Sequence, residues 1–134
     1  MRRFLDHVYR LGVKELWEVP KGRLAQGAVI HTMGYPLDSH TFGGGFIYGF
    51  TEQLVSLGLV IGLDYRDPFL DPHGLFQAFK QHPLVKETLQ DGKLVRYGAR
   101  TISEGGWYSI PRPYADGVLL VGEAAGYLNA MRLK

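Results

Sequence analysis

Apolar side chains at Phe4, Leu5, Val8, Tyr9 and Leu11, closed by Gly12, predict one or two helical turns over residues 4–11. The period then changes. Residues 13–19 alternate loosely between apolar and charged and stop at Pro20, which predicts a half-buried strand. Beyond a polar turn at Lys21, Gly22 and Arg23, residues 27–33 are β-branched and apolar and are expected to pair with that strand. Gly34 and Pro36 break the pattern, and residues 42–48 and 52–63 resume it as two more strands. Successive strands on short links give an antiparallel sheet.

Asp71 followed by Pro72 has the form of an N-cap and a first helical position, and Leu75, Phe76 and Phe79 then fall on one helical face. Pro83 restarts a second short helix through Leu89. Asp91 and Gly92 turn the chain into a strand over residues 93–100, and residues 103–113 form a loop rich in Gly, Pro and aromatics. A last apolar run, residues 118–121, reads as a buried strand feeding a small-residue turn and a helix start. The sum is an α+β domain, mainly antiparallel sheet with helices packed on one side.

With 134 residues the chain is long enough to bury one core. It contains no cysteine, so disulfides, thiolate nucleophiles and cysteine-held zinc or iron–sulfur clusters are excluded within these residues. The net charge of +2 is spread among interleaved acids and bases, with no basic stripe to grip nucleic acid. No apolar run is long enough to span a membrane, and charges punctuate the N-terminal stretch where a signal peptide would be apolar. A cytoplasmic origin is therefore expected.

The glycines are more informative, since 18 of them sit at discrete places rather than in a linker. Gly43, Gly44 and Gly45 interrupt a strand between Phe42 and Phe46, which marks either a bulge or a ligand lying against the backbone. Tyr35, Phe42, Phe46, Tyr48 and Phe50 surround them and suit a flat apolar ligand or an ordinary core. A second bare turn follows Glu104 at Gly105 and Gly106. The third is Gly122, Glu123, Ala124, Ala125 and Gly126, where an unshielded backbone can approach an anionic or aromatic ligand. Glu123 there either accepts from a ribose or ribityl hydroxyl or caps the helix. The five histidines are scattered and read as structural, and no nucleophile, phosphate-loop or metalloprotease motif occurs. The chain has no self-contained catalytic motif.

HTMGYPLDSHTFGGGFIYGF, the long stretch from LVSLGLVIGLDYRDPFLDP through EGGWYSIPR, and DGVLLVGEAAGYLN together resemble the electron transfer flavoprotein:ubiquinone oxidoreductase family over nearly the whole chain from Gly12. The middle segments are specific, whereas GEAAG alone resembles many flavoproteins that carry G-D-A-A-G. The resemblance implies a fold similar to the substrate domain of hydroxybenzoate-hydroxylase-like flavoproteins. It also implies an enzyme that takes electrons from electron transfer flavoprotein through FAD and a 4Fe-4S cluster to ubiquinone or menaquinone. Residues 1–117 would be the quinone-binding domain and residues 118–134 the start of the return into an FAD-binding domain. The chain is then expected to be a middle piece, inactive alone, with the FAD pyrophosphate site upstream and the cluster cysteines downstream.

By position, the resemblance puts Gly43 and Gly44 against a quinone carbonyl, with Phe42 and Tyr35 beside them. It puts Gly122, Glu123, Ala124, Ala125, Gly126 and Asn129 against the flavin, Glu123 departing from the usual Asp. A quinone tail needs an apolar mouth at a bilayer, for which Tyr35, Leu37, Phe46, Phe50 and Phe69 are candidates, so the expected location is peripheral and monotopic, at the cytoplasmic face of the cell membrane if bacterial. Two other readings compete: part of a geranylgeranyl-reductase-like or nitrogen-fixation-related flavoprotein, and a free-standing lipid- or quinone-binding module.

Overall fold

The computed structural model describes residues 9–128. A five-stranded antiparallel sheet runs in the order β2-β3-β4-β1-β5, from β1 (Tyr9–Glu18), β2 (Val29–Thr32), β3 (Gly43–Gly49), β4 (Leu54–Gly62) and β5 (Lys93–Ser103). Helices α1 (Pro72–Gln81) and α2 (Pro83–Leu89) connect β4 to β5, and a separate hairpin pairs β6 (Tyr114–Ala115) with β7 (Val118–Leu119). The α+β expectation therefore holds.

Two-residue alternation decides which face is covered. Ile47 on β3 and Val55, Leu57, Leu59 and Ile61 on β4 are buried, and Phe76, Phe79, Val85 and Leu89 from the two helices close over them. Asp71 caps α1 as expected, its Oδ1 accepting from the His73 N–H at 2.9 Å, and Pro72 follows at the first helical position. Glu15 shares the covered face of β1. Its carboxylate accepts from Lys80 Nζ of α1 at 2.9 and 3.0 Å and from Trp17 Nε1 at 2.7 Å, so a buried charge is fully partnered.

Four readings need correction. Residues 4–8 of the expected first helix lie outside the described residues, and Tyr9 to Leu11 begin β1. Gly12 continues that strand, because Leu11 and Val13 sit opposite Ile61 and Leu59 on the covered face. Second, β2 does not pair with β1. It pairs with β3, while β1 lies between β4 and β5, gaining a neighbour on both edges for its ten residues. Third, the expected strand end at Arg100 extends to Ser103, with a register shift that passes from Leu16–Arg96 to Trp17–Leu94 and leaves Val95 as an extra residue. Fourth, the run from Val118 is not buried. Val118, Leu119 and Val121 are exposed, since among the described residues β7 has only the two-residue β6 beside it.

Candidate functional site

The triple glycine lies in an unbroken ladder, Gly43 opposite Ile61, Gly44 opposite Val60 and Gly45 opposite Leu59, so it is not a bulge. Each glycine answers to a different neighbour. A Cβ on Gly45 would lie 2.5 Å from Phe79 Cζ and 2.7 Å from Thr32 Oγ1, one on Gly44 would run into the Thr32 carbonyl, and one on Gly43 into the Val60 carbonyl. Close approach is thus real, and at Gly45 the approaching group is the protein's own core.

Gly43 differs from the other two in lying beyond the end of the β2–β3 ladder, with Leu37 Cδ1 2.6 Å from where its Cβ would be. Gly49 bonds across to Ala28 and Gly27 on the β2 side, and regular strand alternation assigns the N–H and C=O of Gly43 to the same side. The β2–β3 ladder ends at the pair Thr32–Gly45, two residues short of a partner for Gly43. β2 has by then left the sheet at Gly34, whose φ of +81° makes the turn that glycine accommodates. Gly44 instead faces β4, as the neighbouring Phe42 carbonyl does in accepting from the Gly62 N–H at 2.8 Å.

Phe42 is half exposed, and Arg10 covers one face of its ring. Tyr35 turns away toward the helices, its hydroxyl donating to the Ala78 carbonyl at 3.2 Å and its ring 5.9 Å from that of His82. Beneath this loop a cavity of about 370 Å³ is lined by Leu37, Asp38, Thr41, Leu70 and Leu75 among others. The Thr41 hydroxyl, then the His40 N–H, hold the exposed Asp38 carboxyl below its usual value.

On the uncovered face of β3, Phe46 and Tyr48 stand next to His31 of β2, with the Tyr48 hydroxyl 3.2 Å from His31 Nε2. Burial pushes the Tyr48 hydroxyl upward. Of the apolar candidates for a membrane mouth, Leu37 is buried in the core and Phe46 is half-buried, whereas Tyr35, Phe50 and Phe69 are exposed, joined by Met33. Among the described residues no helix is long and apolar enough to cross a membrane.

The closing turn is a short 3₁₀ segment, Gly122–Ala125, ended by Gly126 with φ +68°, rather than the start of an α-helix. Ala125 is buried, and Glu123 pairs with Arg100 of β5 at 3.2 Å, which ties its carboxylate to the sheet. Nothing approaches a Cβ built on Gly122 within 4 Å, so the backbone there is open. Asn129 lies outside the described residues. Sequence reasoning missed Arg10 and its buried partner Glu104. The available signal was parity: Arg10 alternates with Leu11 in what is a strand, so a charge had to be placed on one of the sheet's faces.

A solved structure of the flavin-dependent brominase Bmp2, a triple mutant, matches 92% of this chain and 30% of its own with a TM-score of 0.59 at 15% identity, a likeness of fold alone. The chain belongs to the electron transfer flavoprotein–ubiquinone oxidoreductase family, whose ubiquinone-binding model (ETF-QO, ubiquinone-binding) matches residues 9–102. The mitochondrial electron transfer flavoprotein-ubiquinone oxidoreductase of Oryza sativa subsp. japonica is 48% identical over 126 residues, 94% of this chain and 22% of its own length. That of Homo sapiens is 47% identical over 128 residues, 94% and 21%, and that of Dictyostelium discoideum 48% over 126 residues, 94% and 21%. The chain therefore spans about a fifth of the length of the curated relatives it matches. Their names place those relatives in mitochondria rather than at a bacterial cell membrane.

Proposed function

We propose that this chain forms the quinone-binding portion of an oxidoreductase that passes electrons from electron transfer flavoprotein to ubiquinone or menaquinone. The observation that carries this is Gly43. The β2 ladder ends before it, strand alternation assigns its N–H to that side, and the half-exposed Phe42 precedes it, a donor and a plate suited to a quinone carbonyl and ring. Gly44 supports the strand from the β4 side, and Tyr35 holds the preceding loop to α1 through Ala78.

The open backbone at Gly122 fits the approach of a flavin, with Glu123 to Gly126 beside it and residues 118–134 leading into the FAD-binding part. Bound there, FAD would supply the electrons. An iron–sulfur cluster does not fit these residues, which include no cysteine, and among the described residues no group of metal-ligating side chains exists. Exposed Met33, Tyr35 and Phe69 would meet a membrane surface monotopically and admit the quinone tail.

Amide NMR of the protein titrated with ubiquinone-1 tests this reading. Gly43 and Phe42 should shift most, and an unmoved Gly43 amide at saturation would remove the quinone from this edge.

A further inference from the structure

Arg10 is a guanidinium placed on a strand and only 9% exposed. Its Nε is paired with Glu104, from the loop that follows β5, and both side chains are buried. Its Nη1 is buried with no hydrogen-bond partner. What the cation rests on instead is Phe42, its Cζ lying 3.7 Å from the ring centroid. Phe42 is 51% exposed, so the ring that carries this buried cation stays accessible next to Gly43 in the chain.

A cation on one face draws electron density from the ring and makes the opposite face electron-poor. Such a face stacks better on an electron-rich ring than on an electron-poor one. The oxidised quinone is electron-poor. Its product, formed by taking up two electrons and two protons, is an electron-rich quinol. We propose that Arg10 is a positioning residue that acts through Phe42 to make the site favour quinol over quinone. This rests on the reading of Phe42 and Gly43 as the quinone edge. Glu104 sits on the opposite side of the account: its negative charge moderates the effect and holds the guanidinium in place.

The test is the ratio of two dissociation constants, for ubiquinone-1 and for its quinol under anaerobic conditions, each read from the Phe42 and Gly43 amides. R10Q should lower the preference for quinol about two- to fivefold, the range set by a cation–π contact at a partly exposed ring. R10K, which keeps the charge, should restore most of it, and E104Q, which removes the counter-charge, should raise it above wild type. Opposite signs for R10Q and E104Q distinguish charge from packing, because loss of packing weakens both ligands together. Should R10Q fail to fold, the sign of E104Q and the value for R10K still decide. Equal changes in both constants, or a shift of the ratio in the same direction for R10Q and E104Q, would overturn the role of Arg10 while leaving the quinone edge intact. Wild-type protein that binds neither ligand at Phe42 and Gly43 would instead remove the quinone edge itself.

Discussion

Replacing Gly45 with alanine adds a single methyl group at the point of β3 that meets the Phe79 ring. The new Cβ would lie 2.5 Å from Phe79 Cζ, 2.8 Å from its Cε2 and 2.7 Å from Thr32 Oγ1. Carbon atoms pack favourably at about 3.5–4.0 Å, so the ring must retreat by about 1 Å. Phe79 is 2% exposed and stacks near Phe76 with ring centroids 6.5 Å apart, which leaves it little room. Overpacking of this kind costs about 1–3 kcal/mol, and alanine returns about 0.5–1 kcal/mol that glycine forfeits inside a strand. The net loss is about 1–2 kcal/mol. With unfolding entropy of about 2.1 cal/mol/K per residue, that loss lowers Tm by roughly 4–8 °C. Differential scanning calorimetry reads it directly. In the double variant with Phe79→Leu, which shortens the obstructing ring, the two losses should sum to about 1 kcal/mol less than the separate values. Gly98→Ala is the control, since nothing approaches its Cβ within 4 Å and its Tm should hold or rise. An unchanged or raised Tm for Gly45→Ala would refute the claim that core packing demands this glycine.

Three further outcomes follow from named contacts. Lys80→Met leaves Glu15 buried without its cation and should cost about 3–5 kcal/mol in urea denaturation, while the paired Lys80→Met, Glu15→Leu variant should recover much of it. A single variant within 1 kcal/mol of wild type would show the pair to be dispensable. Asp71→Ala removes the α1 cap and should cost about 1 kcal/mol, checked by the same unfolding curve and by faster amide exchange at His73. The Asp38 carboxyl is held below 3.8, so its contribution to stability is present above that pH and fades as pH falls through its lower native value. The His40 amide should therefore titrate with a midpoint below 3.8, and a midpoint at or above 3.8 would contradict the Thr41 and His40 contacts.

Local chemistry made much of the fold legible. Asp71 and Pro72 announced α1, Pro83 announced α2, and the apolar run within residues 52–63 announced β4, because caps, ring constraints and apolar runs act within a few residues of themselves. Pairing was harder to read, since adjacency in sequence favoured β1 with β2, whereas the hydrophobic faces of β1 and β4 match across a much longer connection. The helical pattern at residues 4–11 misled for a related reason: Tyr9 and Leu11 satisfy a helical spacing and a strand spacing alike. At the site, the glycines stood out in sequence, yet which of them serves the core and which lies free depends on where β2 ends. Arg10 and Glu104 are more than ninety residues apart, and nothing local to either signals the other.

The long outer strand β5 carries a consequence for solubility. Most of its residues are exposed, including Val95 and Tyr97; among the described residues no strand lies on its outer side, and such an edge of eleven residues is a template on which another chain can build. Lys93 and Arg96 give that strand positive charge, and the extra residue at Val95 breaks its regular register. A second copy laid antiparallel against it would meet like charges and a broken ladder, so the strand can stand open without seeding a growing sheet.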